Sequence, residues 1–349
     1  MTRRLNVIAA IMSVSAMCVF LPRTNAQSGA QQGSWEKIKV HGKALEGNLE
    51  GDSPDRDVFV YLPASYKSSP NRHYPVVYFL HGYAAHAETY WNSLSVAAAA
   101  DGAGAEMILV LPDAYTIYDG SMFSNSPTIG DWETFVASDL VQYMDTHYLT
   151  IADRGGRGLA GHSMGGYGTM RIGMKHPEVF SALYAMSSCC LLQDAANLLP
   201  GQSSAGKQAK ASADTQGKQS KQAGGALAKA LQAQAAAWAP NPQNPPSYFD
   251  LPTKDGELQP LIAAKWTANS PLLMVDQYVP NLKRYRAIFL EVGTRDPFLT
   301  LNTQLSQALT RLGVEHKFET YDGDHGNRIK GRFAENLLPF FKASLSPAK

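Results

Sequence analysis

One serine in this chain of 349 residues has the surroundings of a covalent nucleophile. Ser163 lies at the centre of Gly161-His162-Ser163-Met164-Gly165, which fits the pattern G-x-S-x-G. A serine hydroxyl attacks a carbonyl carbon when a base removes its proton, and a sharp turn exposes it to substrate. Glycines two residues away on either side let the flanking segments approach closely at such a turn. The pattern is common by itself, so its meaning depends on whether the chain also supplies a base and an acid.

The predicted base is His325, in the polar segment 322–326. This segment follows residues 314–321, which are predicted to form the last strand of the fold. His162 adjoins the serine but points away from the tip of the turn, and His316 lies inside the predicted strand. We therefore expect His325 to remove the proton from Ser163.

The acid that orients the base is predicted after an earlier strand. Residues 287–292 form an apolar run that ends at Gly293-Thr294-Arg295-Asp296. Asp296 gives the chain order serine, aspartate, histidine that G-x-S-x-G enzymes use. Glu291 is an alternative within the strand, and Asp322 and Asp324 beside the histidine are others. Position alone leaves these alternatives open, because a loop aspartate is often a simple turn residue.

The segments around the serine predict the secondary structure that the motif requires. Residues 157–160 fit a short buried strand, and residues 164–176 fit a helix. The helix ends before Pro177, because proline cannot continue a helix and disfavours helical geometry in the residue before it. Strand, sharp turn and helix therefore follow one another at Ser163.

The rest of the chain alternates predicted strands with predicted helices. Continuous apolar runs are typical of strands buried on both faces of a parallel sheet. Strands are predicted at 35–40, 57–62, 74–80, 107–113 and 179–187, and helices at 131–147, 301–312 and 333–345. This pattern and the order of the three polar residues predict the α/β-hydrolase fold, an α/β fold with a mostly parallel central sheet and helices on both faces. Residues 27–349 are predicted to form a single domain.

That fold predicts further site residues. Two backbone N–H groups should stabilise the developing oxyanion: those of Tyr83, after His81-Gly82, and of Met164, directly after the serine. Loops at the carboxyl ends of strands bind ligands in α/β sheets, and residues 115–130 form such a loop. Trp132 and His162 are candidates for contact with substrate. A core aromatic is the alternative for Trp132.

Several segments resemble the esterase family that contains S-formylglutathione hydrolase (esterase D), feruloyl and acetylxylan esterases, and the antigen 85 mycolyltransferases. The resemblance rests on residues 125–135, 150–154, 161–168, 176–177 and 180. With residues 74–82 and the later acid and histidine it covers most of the chain, and it fails from about 199 to 250. The resembling families carry the acid in a similar G-x-x-D loop, which implies Asp296.

These residues and the resemblance imply a serine carboxylic-ester hydrolase that works through an acyl-enzyme and needs no cofactor. The expected substrates are feruloyl, acetyl or other short acyl esters, either small molecules or linked to polysaccharides. Three alternatives remain: an acyltransferase of the antigen 85 type, a thioesterase like S-formylglutathione hydrolase, and a binding protein on an esterase scaffold. The substrate depends on loops rather than on the fold.

The first 26 residues fit a secretory signal. Arg3-Arg4 precede an apolar run, residues 7–21, and the small-residue segment 24–26. Cleavage after Ala26 predicts a secreted or periplasmic protein with no stable membrane span in its mature form. An uncleaved anchor is one alternative, and a lipoprotein attached at Cys18 is the other.

Composition narrows the possible partners. Hydrophobic residues make up 44% of the chain and charged residues 17%, with a net charge of +1. This balance suits a globular enzyme and gives no reason to expect nucleic acid as a partner. Cys189 and Cys190 are adjacent, which disfavours a disulfide between them, so they are expected to pack as small hydrophobic side chains. No metal-binding motif is present.

One stretch differs in composition from the remainder. Residues 201–246 are rich in Ala, Gln, Lys, Ser and Gly, which predicts a low-complexity insertion in the domain. Its first half is expected to be disordered, because it offers little apolar surface to bury. Residues 227–238 are alanine-rich and fit a helix. A solvated loop is favoured for the insertion over a lid on the site.

Overall fold

The structure is a computed structural model that describes residues 32–192 and 219–349. The predicted signal peptide, residues 1–26, and part of the predicted insertion, residues 201–218, lie outside the described residues. Among the residues that are described, no helix combines the length and the apolar character needed to cross a bilayer.

Eight strands form the central sheet, in the spatial order β1-β2-β4-β3-β5-β6-β7-β8. They are β1 (Ser34–His41), β2 (Asp55–Leu62), β3 (Val76–Leu80), β4 (Ile108–Pro112), β5 (Arg157–His162), β6 (Ala182–Met186), β7 (Ala287–Gly293) and β8 (Lys317–Tyr321). β2 runs antiparallel to both β1 and β4, and the other neighbours are parallel. The prediction of a mostly parallel sheet is confirmed.

Helices cover both faces of this sheet. They are α1 (Ala87–Leu94), α2 (Val96–Gly102), α3 (Leu140–His147), α4 (Met164–Lys175), α5 (Gln219–Trp238), α6 (Pro260–Ala268), α7 (Leu299–Arg311) and α8 (Leu338–Ser344). Shorter helical segments are Trp132–Thr134, Pro271–Met274, Val279–Leu282 and Ile329–Arg332, and π-helical turns Phe135–Asp139 and Phe333–Leu337 lead into α3 and α8.

Alternate residues of each strand reach opposite faces, so the sheet separates two hydrophobic clusters. Val76, Tyr78 and Leu80 of β3 pack in the cluster that α3, α4 and α7 cover. Val77 and Phe79 of the same strand pack in the cluster that α1, α2 and α8 cover. Because β3 is buried on both faces, its sequence is a continuous apolar run with no alternation.

The C-terminal turns of helix α5, within the described part of the insertion, belong to the core, whereas residues 242–246 are exposed. The alanine-rich segment is helical, as expected, but α5 begins at Gln219, eight residues before the predicted start at 227. Residues 233 and 235–239 are buried. Trp238 packs against Tyr167 and Trp266, with ring centroids 5.5 and 5.4 Å away. The expectation of a solvated loop is therefore wrong for residues 233–239, because small alanine side chains let the helix lie close to the aromatic residues.

Candidate active site

The serine lies at a strained turn between β5 and α4. Ser163 has φ 58° and ψ −115°, a combination that L-residues rarely adopt. The flanking glycines are required sterically: a Cβ at Gly161 would collide with the backbone of Gly165, and a Cβ at Gly165 would collide with the carbonyl of Leu80. The strained turn therefore forms because the strand and the helix have no side chains where they cross.

His325 lies beside the serine, in the loop between β8 and the short helix Ile329–Arg332. Its Nε2 atom is 2.9 Å from the Ser163 Oγ. The imidazole is 34% exposed, so one side of it faces solvent. His316 lies just before β8 and not within it, and its ring hydrogen-bonds Ser306 and the Val314 carbonyl. Of the two, only His325 is within hydrogen-bonding distance of the serine.

Asp296 lies on the far side of the same imidazole. Its Oδ2 is 2.9 Å from the Nδ1 of His325, and its Oδ1 accepts a hydrogen bond of 2.8 Å from the Phe298 amide. Burial alone would raise the pKa of Asp296, but the hydrogen bonds from His325 and Phe298 outweigh it and hold the pKa below its usual value. The carboxylate is therefore charged at neutral pH, when it accepts the Nδ1–H of the imidazole.

The other acidic candidates contact different groups. Glu291 is buried and accepts hydrogen bonds from Tyr184 and Arg332. Asp322 pairs with Arg295, and Asp324 accepts the backbone amides that follow His325. Of the acids left open by the sequence, the structure brings Asp296 to the Nδ1 atom of the histidine.

The expected oxyanion donors lie next to the serine. Met164 is the first residue of α4, where backbone N–H groups lack intrahelical partners. Tyr83 follows Gly82, at which an added Cβ would lie 3.4 Å from the Cβ of Ser163. His81 holds this loop, because its Nδ1 bonds the Gly82 carbonyl at 2.8 Å and its Nε2 accepts the Ala114 amide at 2.8 Å.

The two expected substrate contacts are both buried. Trp132 is 1% exposed, donates from its Nε1 to the Ile129 carbonyl at 2.8 Å, and packs beneath the guanidinium of Arg56. This is the core-aromatic alternative. His162 is 3% exposed, and both of its ring nitrogens bond protein atoms, the Tyr90 hydroxyl and the His325 carbonyl. Neither ring is placed to contact a substrate directly.

Two features beside the serine were not anticipated from the sequence. The Cys189 amide donates to the Ser163 carbonyl at 3.2 Å, and its thiol lies 2.8 Å from that of Cys190. The Cys190 thiol and burial raise the pKa of Cys189 well above its usual value, so Cys189 is not an activated nucleophile. Helix α5 also reaches the site, since Gln234 donates to the sulfur of Cys190. No local sequence signal predicts either contact.

The described side chains do not form a metal site. Within residues 32–192 and 219–349, no group of three or more His, Cys, Asp or Glu side chains is placed to hold a metal ion. The chemistry available from the side chains beside Ser163 is proton transfer and nucleophilic attack.

The fold and this arrangement of side chains define an α/β-hydrolase with a serine, a histidine and an aspartate in hydrogen-bonded series. Residues 53–341 match the model of the Putative esterase family, and the chain belongs to that family. The family expected from the sequence is therefore confirmed.

Two individual proteins are similar in sequence to part of this chain. It is 33% identical over 130 residues to an esterase of Mycobacterium tuberculosis, a match that spans 36% of this chain and 27% of that protein. It is 34% identical over 133 residues to an endo-1,4-beta-xylanase/feruloyl esterase of Xylanibacter ruminicola, which spans 35% of this chain and 18% of that protein. The chain thus matches about a quarter or less of these relatives' lengths.

A solved structure matches over nearly the whole chain. A ferulic acid esterase superposes with a TM-score of 0.61 at 23% identity, covering 90% of this chain and all (100%) of that chain. At this identity the match supports the fold, and the substrate named for that protein is a property of that protein.

Proposed function

We propose that this protein is a serine carboxylic-ester hydrolase in which Ser163, His325 and Asp296 form the catalytic triad. The observation that carries the proposal is the continuous series of hydrogen bonds from the serine Oγ through both ring nitrogens of the histidine to the aspartate. Membership of an esterase family supports the same reaction class. The strained backbone at Ser163 supports it further, because such strain is common at functional sites.

In this mechanism Ser163 attacks the ester carbonyl carbon while His325 Nε2 takes the hydroxyl proton. Asp296 keeps the second proton of the ring on Nδ1 and stabilises the imidazolium that forms. The imidazolium then protonates the leaving alcohol, and an acyl-serine remains. Water attacks the acyl-enzyme with His325 again as the base, and the free acid departs.

The tetrahedral intermediates carry a negative oxygen that needs donors. We assign the Tyr83 and Met164 N–H groups to this role. Each fixed donor in such a position contributes about 3 kcal/mol to the stability of the transition state. Since both groups are held by backbone geometry, they need no reorganisation when the charge develops.

The proposed substrates are esters of feruloyl, acetyl or other short acyl groups, met outside the cytoplasm after export. Two observations support this class. The xylanase/feruloyl esterase relative acts, by its name, on feruloyl esters, and the residues 1–26 have the pattern of a secretory signal. The segments proposed to select the acyl group are the loop 115–130, whose Asp119 carbonyl accepts the Ala84 amide of the oxyanion loop (residues 81–84), and helix α5, which pairs with Asp119.

The test is hydrolysis of p-nitrophenyl esters of increasing chain length and of methyl ferulate by the mature protein and by Ser163→Ala. We expect loss of turnover in Ser163→Ala and full turnover in Ser93→Ala, an exposed helix serine that serves as the matched control. Full turnover in Ser163→Ala would contradict the proposal. Products are analysed with a sugar acceptor and with a thioester substrate present, so that acyl transfer and thioester hydrolysis are detected as separate outcomes.

A further inference from the structure

His162, next to the nucleophile in sequence, bonds the backbone of the base. Its Nε2 lies 2.8 Å from the carbonyl oxygen of His325. A carbonyl only accepts hydrogen bonds, so the Nε2 of His162 must carry a proton. The two imidazole centroids are 4.7 Å apart. One histidine therefore holds the main chain from which the other reaches Ser163.

The opposite nitrogen of His162 is bonded to Tyr90 on α1. The Tyr90 hydroxyl lies 2.7 Å from the Nδ1 of His162. In a neutral ring with a proton on Nε2, the Nδ1 accepts, so Tyr90 donates. The hydroxyl oxygen of Tyr90 also lies against the backbone of Gly82. A Cβ at Gly82 would collide with that oxygen, which shows how closely the two are packed.

His162 stays neutral in this position. Burial, and then the nearby His325, lower its pKa to about 3. The charged and titratable groups that face it are His325, Asp296 and the Tyr90 hydroxyl. Because His162 does not take a proton at neutral pH, its ring keeps one donor and one acceptor when His325 becomes positive during turnover.

The ends of this series of contacts are two parts of the proposed machinery. Gly82 precedes Tyr83, the proposed oxyanion donor, and His325 is the proposed base. We propose that Tyr90 and His162 are positioning residues that hold the oxyanion loop (residues 81–84) and the base loop (residues 322–328) at a fixed separation on either side of Ser163. This inference rests on the proposed function, because it concerns the same reaction.

The base loop is bonded on one side to the segment after β7, where Arg295 contacts Gly323 and Asp322 and where Asp296 contacts His325. Asp324, Gly326 and Asn327 are exposed, and the hydrogen bonds among them are local to the loop. The His162 bond connects this loop to β5, in the buried centre of the sheet. A displacement of about 1 Å at a catalytic group can reduce the rate about 100-fold, so a bond at this point affects turnover more than substrate binding.

Two variants of similar size, His162→Gln and His162→Asn, distinguish a positioning role of the His162 side chain from a role in packing alone. In His162→Gln the side-chain amide reaches the place of Nε2 and can still donate to the His325 carbonyl. In His162→Asn the amide reaches only the place of Nδ1, so the bond to the base loop is lost. We expect kcat to fall about 10-fold to 100-fold in His162→Asn and less than about threefold in His162→Gln, with KM changed less than twofold in both.

Tyr90→Phe tests the other bond without changing His162. It removes the donor to Nδ1, a bond that His162→Gln also lacks, and we expect kcat to fall about two- to threefold with KM unchanged. Tyr78→Phe is the matched control, since Tyr78 is also buried and its hydroxyl has no hydrogen-bond partner among the described residues. Tyr78→Phe should retain the wild-type kcat.

The outcomes are decisive in either direction. A large loss of kcat in His162→Asn that His162→Gln restores, together with a loss in Tyr90→Phe, supports the inference. Equal losses in the Asn and Gln variants, or wild-type kcat in both Asn and Phe variants, overturn it. If His162→Asn does not fold, Tyr90→Phe against Tyr78→Phe decides alone. Failure of the proposed function is distinguished separately, since it gives an active Ser163→Ala variant.

Discussion

Lys229 on α5 forms an ion pair with Asp119, its Nζ 2.6 Å from the Oδ1 of the carboxylate. The carbonyl of Asp119 also accepts the amide of Ala84 at 2.9 Å, directly after the proposed oxyanion donor Tyr83. The helix of the insertion is thereby connected to the loop 115–130 and through it to the oxyanion loop. Breaking this ion pair should therefore weaken substrate binding at the proposed site.

We predict that Lys229→Met raises KM for aryl esters by about two- to fivefold at low salt. The lysine side chain is 44% exposed, and pairs of this kind contribute at most about 1 kcal/mol. At about 1 M salt the difference from wild type should disappear, because charges are then screened within about 3 Å. Lys265→Met, an exposed lysine on α6, is the control. An unchanged KM for Lys229→Met at low salt would contradict the prediction.

Asp296→Asn should reduce kcat about 10⁴-fold with little change in KM. The amide can donate to Nδ1 and so favours the tautomer that leaves Nε2 unable to accept the serine proton. Asp322→Asn is the matched control, since this exposed aspartate lies in the base loop and should retain activity. Steady-state kinetics on a p-nitrophenyl ester measures kcat and KM of both variants. If Asp322→Asn loses activity and Asp296→Asn retains it, the acid that orients His325 is Asp322.

Glu291→Gln should destabilise the protein by about 3 kcal/mol and leave kcat nearly unchanged. The carboxylate is buried and bonded to Arg332 at 2.5 Å, and removing its charge leaves Arg332 with Glu319, 2.9 Å away, as its remaining partner. Urea denaturation measures the stability, and kinetics well below the midpoint measures kcat. If kcat falls more than about tenfold in folded protein, Glu291 takes part in catalysis.

The stability of the protein should depend on His162 at acidic pH. Its pKa is about 3 in the fold, against 6.5 for the ordinary side chain, so the unfolded chain binds more protons between these values. Stability therefore falls as pH falls from 6.5 towards 3. Between pH 7 and pH 4 this contribution is about 3 kcal/mol, from 2.5 pH units at about 1.4 kcal/mol each.

Chemical denaturation at the two pH values measures this contribution. The non-titrating variant His162→Gln should lose about 3 kcal/mol less than wild type between pH 7 and pH 4. His73→Gln, at an exposed position, should behave as wild type. Equal pH dependence in wild type and His162→Gln would show that His162 is not held neutral.

Two substitutions on α5 test whether the C-terminal turns of this helix belong to the core. Ala235 is fully buried, and Ala235→Leu should cost about 1–3 kcal/mol through overpacking. Ala228 is exposed on the same helix, and Ala228→Leu should change stability by less than about 0.5 kcal/mol. Thermal denaturation compares them, and equal midpoints would place Ala235 outside the core.

Much of the fold and of the proposed site could be predicted from the sequence, because the steric and hydrophobic rules that determine them act between residues close together in the chain. The strained turn at Ser163 requires glycines at fixed spacing, and strands buried on both faces require continuous apolar runs. These rules predicted the serine, the histidine loop, the central strands and the sheet type. They also predicted helix in α5, since alanine favours helix wherever it lies, but could not predict that the end of that helix is buried.

The sequence alone thus determined the class of fold, and it singled out the proposed nucleophile and the loop of its proposed base, since each depends on short-range geometry. Tertiary structure decided which acid meets His325, because Asp296 is 29 residues away and equal in local character to Asp322 and Asp324. It also decided the role of His162, whose partners are 72 and 163 residues distant. Such contacts depend on the order in which strands assemble, and no spacing along the chain encodes that order.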